Sequence, residues 1–159
     1  MLAKLKSWAD RLAAADAGPA PAAEARELKE ATALLLVEAA SLDDDFDVGE
    51  EAVIRQLLTD EFGLRDVEAD ALVADARARV DASVELYGVT RAIKDRMAPE
   101  DRVRVLEMIW SVACSDGELH DFEASLARRV AGLLHVPDRD SGAARKRALA
   151  RLERDADRA

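Results

Sequence analysis

Two short acidic segments contain the residue types that could bind a metal ion. They span residues 40–50 and 113–123, so the second follows the first at an offset of 73. Carboxylate side chains supply the hard oxygen ligands that Ca²⁺ and Mg²⁺ prefer. We therefore predict a divalent-cation site at each segment, with four principal ligands: Asp43, Glu50, Asp116 and Glu123. Three neighbouring acids are predicted as auxiliary ligands: Asp45, Asp47 and Glu118.

Helix capping offers a second explanation for some of these acids. Asp47 and Glu50 have the spacing of a capping box, and acids at a helix start also interact favourably with the helix dipole. Capping explains these two residues and Glu123 without a metal ion. It does not explain Asp43 and Asp116, which precede the cap position by four residues in both copies. Those two could instead stabilise their loops through Asx turns, so the residues alone leave both explanations open.

The first segment does not form an EF-hand. Its alternating aspartates are typical of the start of such a loop. However, Val48 stands where the EF-hand needs glycine, and Ile54 stands where it needs a bidentate glutamate. The predicted site is therefore of a different kind.

The elements around the two segments are predicted to be helical. Apolar residues recur every three or four positions, and Leu36 and Leu57 match Ile109 and Val130 at the same offset of 73. Strong helix formers dominate the composition, and only 4% of residues are aromatic. We predict an all-α, compact bundle of about seven helices, built from two pseudo-symmetric three-helix halves with the fourth helix between them. The apolar pattern marks helices at roughly residues 22–41, 53–62, 66–80, 84–97, 99–113, 122–134 and 141–154, and the second begins early enough to have Glu50 in its first turn.

A separate N-terminal segment precedes this bundle. Leu2, Leu5, Trp8 and Leu12 have helical spacing, and a Gly- and Pro-containing break follows at residues 17–21. We predict an N-terminal amphipathic arm and linker over residues 1–21, and one helical domain over residues 22–159. The arm could dock on a partner or a membrane surface, or fold back on its own domain.

Composition argues against several classes of protein. The net charge of −10 disfavours nucleic-acid binding, because phosphate contacts need Lys and Arg. The single cysteine, Cys114, cannot form an internal disulfide. The chain shows neither a secretion signal nor a run of about 18 apolar residues that would span a membrane. The basic segment 139–159 could contact an acidic partner, contact the chain's own acids, or face solvent.

The residues also argue against an enzyme. His120 and His135 are too far apart, and have too few companions, to form a zinc site. Cys114 and His120 lack a third group that would orient a nucleophile and its base. Trp110 is expected in the core. We predict no catalytic residues.

The pattern Ala-x-x-Asp-Gly-x-Leu-x-x-x-Glu over residues 113–123, and its degenerate copy over residues 40–50, resembles the TerB-like tellurite-resistance family. The segments 62–64, 99–102 and 129–134 are similar too. The first copy departs from the pattern with Asp44 in place of glycine, and the second has Ser115 where alanine is commoner.

The resemblance implies a non-enzymatic, cytoplasmic bacterial protein of stress response, whose partners are other proteins, including membrane-associated complexes near the inner membrane. It also implies divalent-metal sites at the four principal ligands named above. We expect a cation-binding interaction module; the alternative is a metal-free helical protein–protein interaction scaffold.

Overall fold

The computed structural model describes residues 19–41, 48–81, 86–115 and 121–158. These ranges contain seven helices and no strand, which confirms the prediction of an all-α bundle of about seven helices. In chain order the helices are α1 (Pro19–Ser41), α2 (Val48–Phe62), α3 (Asp66–Asp81), α4 (Leu86–Arg96), α5 (Pro99–Ala113), α6 (Asp121–Leu133) and α7 (Asp138–Arg158). None of these described helices combines the length and the apolar character needed to cross a bilayer.

Several helices are longer than the apolar pattern predicts. α1 begins at Pro19 rather than at residue 22, because a proline in the first turn gives up no helical hydrogen bond. α2 begins at Val48, as the capping-box spacing of Asp47 and Glu50 predicts, although its apolar residues begin only at residue 53. α7 extends to Arg158, although its last residues are exposed.

Two helices form the centre of the molecule. Residues 31–37 of α1 are buried on every side, and α1 packs against α2, α3, α4, α5 and α6. Residues 104–114, at the end of α5 and just beyond it, are buried as well, and α5 packs most extensively along α7. A helix that is buried on all sides requires neighbours on all sides, so α1 and α5 lie at the centre of the core.

The sequence repeat is visible in the helix positions. α6 begins at Asp121 and α2 at Val48, which are 73 residues apart. Leu36 and Ile109, matched at this offset, are both 0% exposed. In each half the first helix packs along the third, α1 with α3 and α5 with α7. The two halves therefore share one helix pattern, while a pseudo-twofold axis between them in space stays a prediction.

Both α2 and α6 are followed by a residue in the left-handed backbone region. Gly63 has φ of 65° and His135 has φ of 56°. Glycine adopts this conformation without strain, which makes it a common residue just after a helix.

Candidate functional site

The first acidic corner comprises residues 42–51, which connect α1 to α2 and include the first turn of α2. The Ser41 hydroxyl donates to the Val37 carbonyl oxygen at 2.7 Å where α1 ends. Glu50 and Glu51 lie in the first turn of α2, and both are half-buried. Glu51 Oε2 is 3.7 Å from Arg77 Nη1 on α3. Glu51 thus ties the corner to a neighbouring helix.

The second acidic corner comprises residues 116–123, between α5 and α6. Before it, the Cys114 backbone N–H donates to the Trp110 carbonyl oxygen at 3.0 Å, and Ser115 Oγ donates to the Val112 carbonyl oxygen at 2.8 Å. After it, α6 begins with an exposed Asp121, while Glu123 in the same turn is only 4% exposed. A carboxylate removed from water needs compensation by hydrogen bonds or opposite charge.

Glu50 and Glu123 occupy equivalent places in the two corners. Each is the third residue of the helix that follows its corner, counted from Val48 and from Asp121. The positive end of a helix dipole faces this turn, so both sites favour negative charge. The sequence offset therefore corresponds to a shared structural position for this pair of predicted ligands.

The remaining predicted ligands lie outside the described residues. They are Asp43, Asp45, Asp47, Asp116 and Glu118. Among the residues that the structure does describe, no group of three or more His, Cys, Asp or Glu side chains is arranged to hold a metal ion. The structure thus describes two of the four principal ligands, and the convergence of Asp43 with Glu50 and of Asp116 with Glu123 stays a prediction. Carboxylate oxygens, the donors proposed at both corners, fit a hard divalent cation.

Sequence reasoning missed a buried ion network between α2, α5 and α7. Glu61 of α2 is 0% exposed and hydrogen-bonded to Arg104 of α5. Arg104 Nη1 is also 3.1 Å from Glu107 Oε2 on its own helix. Burial raises the pKa of Glu61, although Arg104 and Arg151 act in the opposite direction.

The last helix completes this network. Arg147 Nε donates to Glu107 Oε2 at 3.0 Å, and Arg151 Nη2 donates to Asp60 Oδ2 at 3.0 Å. Basic residues of the C-terminal segment therefore contact the chain's own acids, one of the three possibilities considered from the sequence. The sequence did contain one indication of this network. In α5, Arg104 and Glu107 lie three residues apart and interrupt an apolar run.

The sequence matches a known protein family. The family described as "Tellurite resistance protein TerB" matches residues 29–146, a range that extends from α1 into α7 and includes both acidic corners. Searches among curated proteins and among solved structures give no match. A family match over most of the chain agrees with the all-helical fold and with the repeated acidic motif. The chain belongs to the TerB tellurite-resistance family.

Proposed function

We propose that this TerB-family protein binds a divalent cation at each acidic corner and acts as a non-enzymatic interaction module in a stress response. The observation that carries the proposal is the equivalent position of Glu50 and Glu123, each the third residue of its helix. Asp43 and Asp116 would complete the principal ligands, with Asp45, Asp47 and Glu118 as auxiliary ones. The all-oxygen donors favour Ca²⁺ or Mg²⁺ over softer metals.

The charge around the first corner supports cation binding. Residues 24–70 contain 15 acids and 4 bases, which gives this third of the chain a net charge of −11. Such a concentration of one sign raises the local density of counter-ions. At the second corner, Glu123 is a largely buried carboxylate, and its charge would attract a cation in addition to the contacts that it makes within the chain.

A bound ion would act on the packing of helix pairs. Each corner connects two helices, α1 with α2 and α5 with α6, and these pairs pack against each other. Fixing the corner would fix the surface that the pair presents to a partner protein, including one in a membrane-associated complex. Tellurite is an anion, so acidic corners would repel it. A role in resistance is therefore indirect.

The proposal is tested by calorimetric titration of the full chain with Ca²⁺, Mg²⁺ and Mn²⁺. The substitutions Asp43→Asn and Asp116→Asn remove one ligand oxygen charge from each corner. We expect each to weaken binding at its own corner by at least about tenfold. The matched control is Asp66→Asn, an exposed acid in the first turn of α3 that lies outside both corners. The proposal fails if the wild-type chain gives no heat and no thermal shift at millimolar metal.

One observation favours the metal-free scaffold as the second candidate. Acids occupy the first turn of α3, α5 and α7 as well, for example Asp66, Glu100 and Asp138. The helix dipole gives all of them the same electrostatic reason to be there. Under this alternative, Asp43→Asn and Asp116→Asn would leave both stability and the response to metal unchanged.

A further inference from the structure

A groove of about 630 Å³ lies between α1, α3 and the turn before α3. Its floor is apolar and consists of Leu64, Ala71 and Leu72. The two leucines are half-buried and pack against the core, so only their outer sides face the groove. We call this surface the leucine groove. It could accept an apolar side chain without any change in the core beneath it.

The side of α1 beside this groove is less buried than the middle of the helix. Residues 31–37 are buried, but Arg26 is exposed and Lys29 and Glu30 are half-buried. These three residues line the leucine groove from the α1 side. Within the part of the chain that the structure describes, this side of α1 is therefore less covered than residues 31–37.

We propose that the N-terminal arm, residues 1–16 of this chain, docks in the leucine groove as an amphipathic helix. Leu2, Leu5, Trp8 and Leu12 are spaced by three and four residues. In a helix this spacing places them on one face, which provides a single apolar stripe. The occupant is therefore attached to the surface that it covers, so docking requires no second molecule.

The short link between the arm and α1 would allow the arm to reach the leucine groove. α1 begins at Pro19, and a turn at residues 17–18 would return the arm antiparallel to α1. At a helical rise of about 1.5 Å per residue, Trp8 lies about 15 Å from Gly18, and Lys29 lies about 15 Å from Pro19. Trp8 would therefore come level with the part of α1 that lines the leucine groove.

The charges on the two surfaces do not oppose docking. The residues that line the groove include three acids, Glu30, Glu68 and Asp75, and two bases, Arg26 and Lys29, and Arg65 pairs with Glu68 beside them. The arm has three bases, Lys4, Lys6 and Arg11, and two acids, Asp10 and Asp16. Neither surface has a large excess of one charge, and exposed ion pairs add little, so the docking depends on the apolar contacts.

A neighbouring groove of about 340 Å³ between α1, α3 and α4 suits the arm less well. Its apolar lining consists of Ala31, Ala92 and Val89, and that valine is only 7% exposed. It offers less volume and no leucine surface for the indole of Trp8. The leucine groove is the better match in both size and apolar character.

Acrylamide quenching of tryptophan fluorescence tests the docking. The chain has two tryptophans, and Trp110 is only 4% exposed, so quenching reports mainly on Trp8. Ala71→Arg places a long charged side chain in the leucine groove and should raise quenching to the level of a freely exposed tryptophan. The matched control is Ala74→Arg, at another exposed alanine of α3 that does not line the groove. This control should quench like the wild type.

Thermal unfolding of the full chain supplies an independent readout. Trp8→Ala and Ala71→Arg should each lower Tm by about 3–6 °C, because each removes the same docked contact. The double variant should then be no less stable than the less stable single variant. Additive losses would overturn the proposal. So would free quenching of Trp8 in the wild type, or shielding of Trp8 only after anionic lipid vesicles are added.

Discussion

Glu61 shows how one buried side chain can make stability depend on pH. Its carboxylate is bonded to Arg104, and its Oε1 is 3.9 Å from Arg151 Nη1. Burial disfavours the ionised form, while both arginines favour it. Desolvation is the larger effect, so the pKa of Glu61 is raised above its ordinary value of 4.5.

We expect Glu61→Gln to change the pH dependence of unfolding. A raised folded-state pKa means that the folded chain holds this proton more tightly than the unfolded chain does. The resulting stabilisation is complete below the unfolded value and is lost as pH rises through the folded pKa. The free energy of unfolding of the wild type minus that of the variant should therefore fall as pH is raised from about 4 to about 7. Urea titrations at several pH values measure it, and a difference that rises with pH would contradict the assignment.

At the scale of elements, the end of α6 combines a favourable hydrogen-bond pattern with an unfavourable residue. The Val136 N–H donates to the Ala131 carbonyl oxygen at 2.9 Å, and the His135 N–H donates to that of Gly132 at 3.2 Å. This is a Schellman motif, with His135 at the left-handed position. Arg102 of α5 adds a hydrogen bond from Nη1 to the Leu134 carbonyl oxygen at 2.9 Å.

His135→Gly is expected to stabilise the protein. A side chain with a Cβ is strained at φ of 56°, whereas glycine is not. Part of the gain is offset because glycine increases the entropy of the unfolded chain, which leaves about 0.5–1 kcal/mol. The reverse substitution after α2, Gly63→Ala, should lower the free energy of unfolding by about 1 kcal/mol. Urea denaturation at neutral pH checks both signs, and a loss of stability in His135→Gly would show that the imidazole has a compensating contact.

At the scale of the whole molecule, the two halves contribute to one core. Leu36 of α1 and Ile109 of α5 have equivalent places in the sequence repeat, and each is completely buried. Both belong to a single cluster of buried apolar side chains that includes residues from all seven helices. The halves are therefore not expected to unfold separately.

Leu36→Ala and Ile109→Ala should each lower the free energy of unfolding by about 2–5 kcal/mol, because each leaves a cavity in a close-packed interior. Val67→Ala is the control, since Val67 is 75% exposed, and its effect should stay within about 0.5 kcal/mol. Unfolding of each variant should show a single transition, with the same midpoint by fluorescence and by circular dichroism. A second transition in either core variant would contradict the single core.

The sequence predicted the helices well because apolar periodicity depends only on which side chains face the core. Periodicity alone misses the first turns of α1 and α2, since turns rich in proline, glycine and glutamate contain no apolar stripe, and only the capping-box spacing of Asp47 and Glu50 indicated where α2 begins. At the candidate site, the predicted starts of the two helices were enough to place Glu50 and Glu123 in the first turns. Whether Asp43 and Asp116 converge on them depends on loop backbone angles that residue types do not determine. Arg104 and Glu107 were missed because charged residues are usually expected at the surface.

The central position of α1 has a consequence for synthesis. This helix emerges first among the seven, yet the helices that cover it extend to α6, which ends at Leu133. At about 5–20 residues per second, translation needs several seconds to produce those covering segments. During that interval the apolar surface of α1 would be covered only in part, by those helices that have already emerged, which makes the nascent chain a natural client for ribosome-associated chaperones.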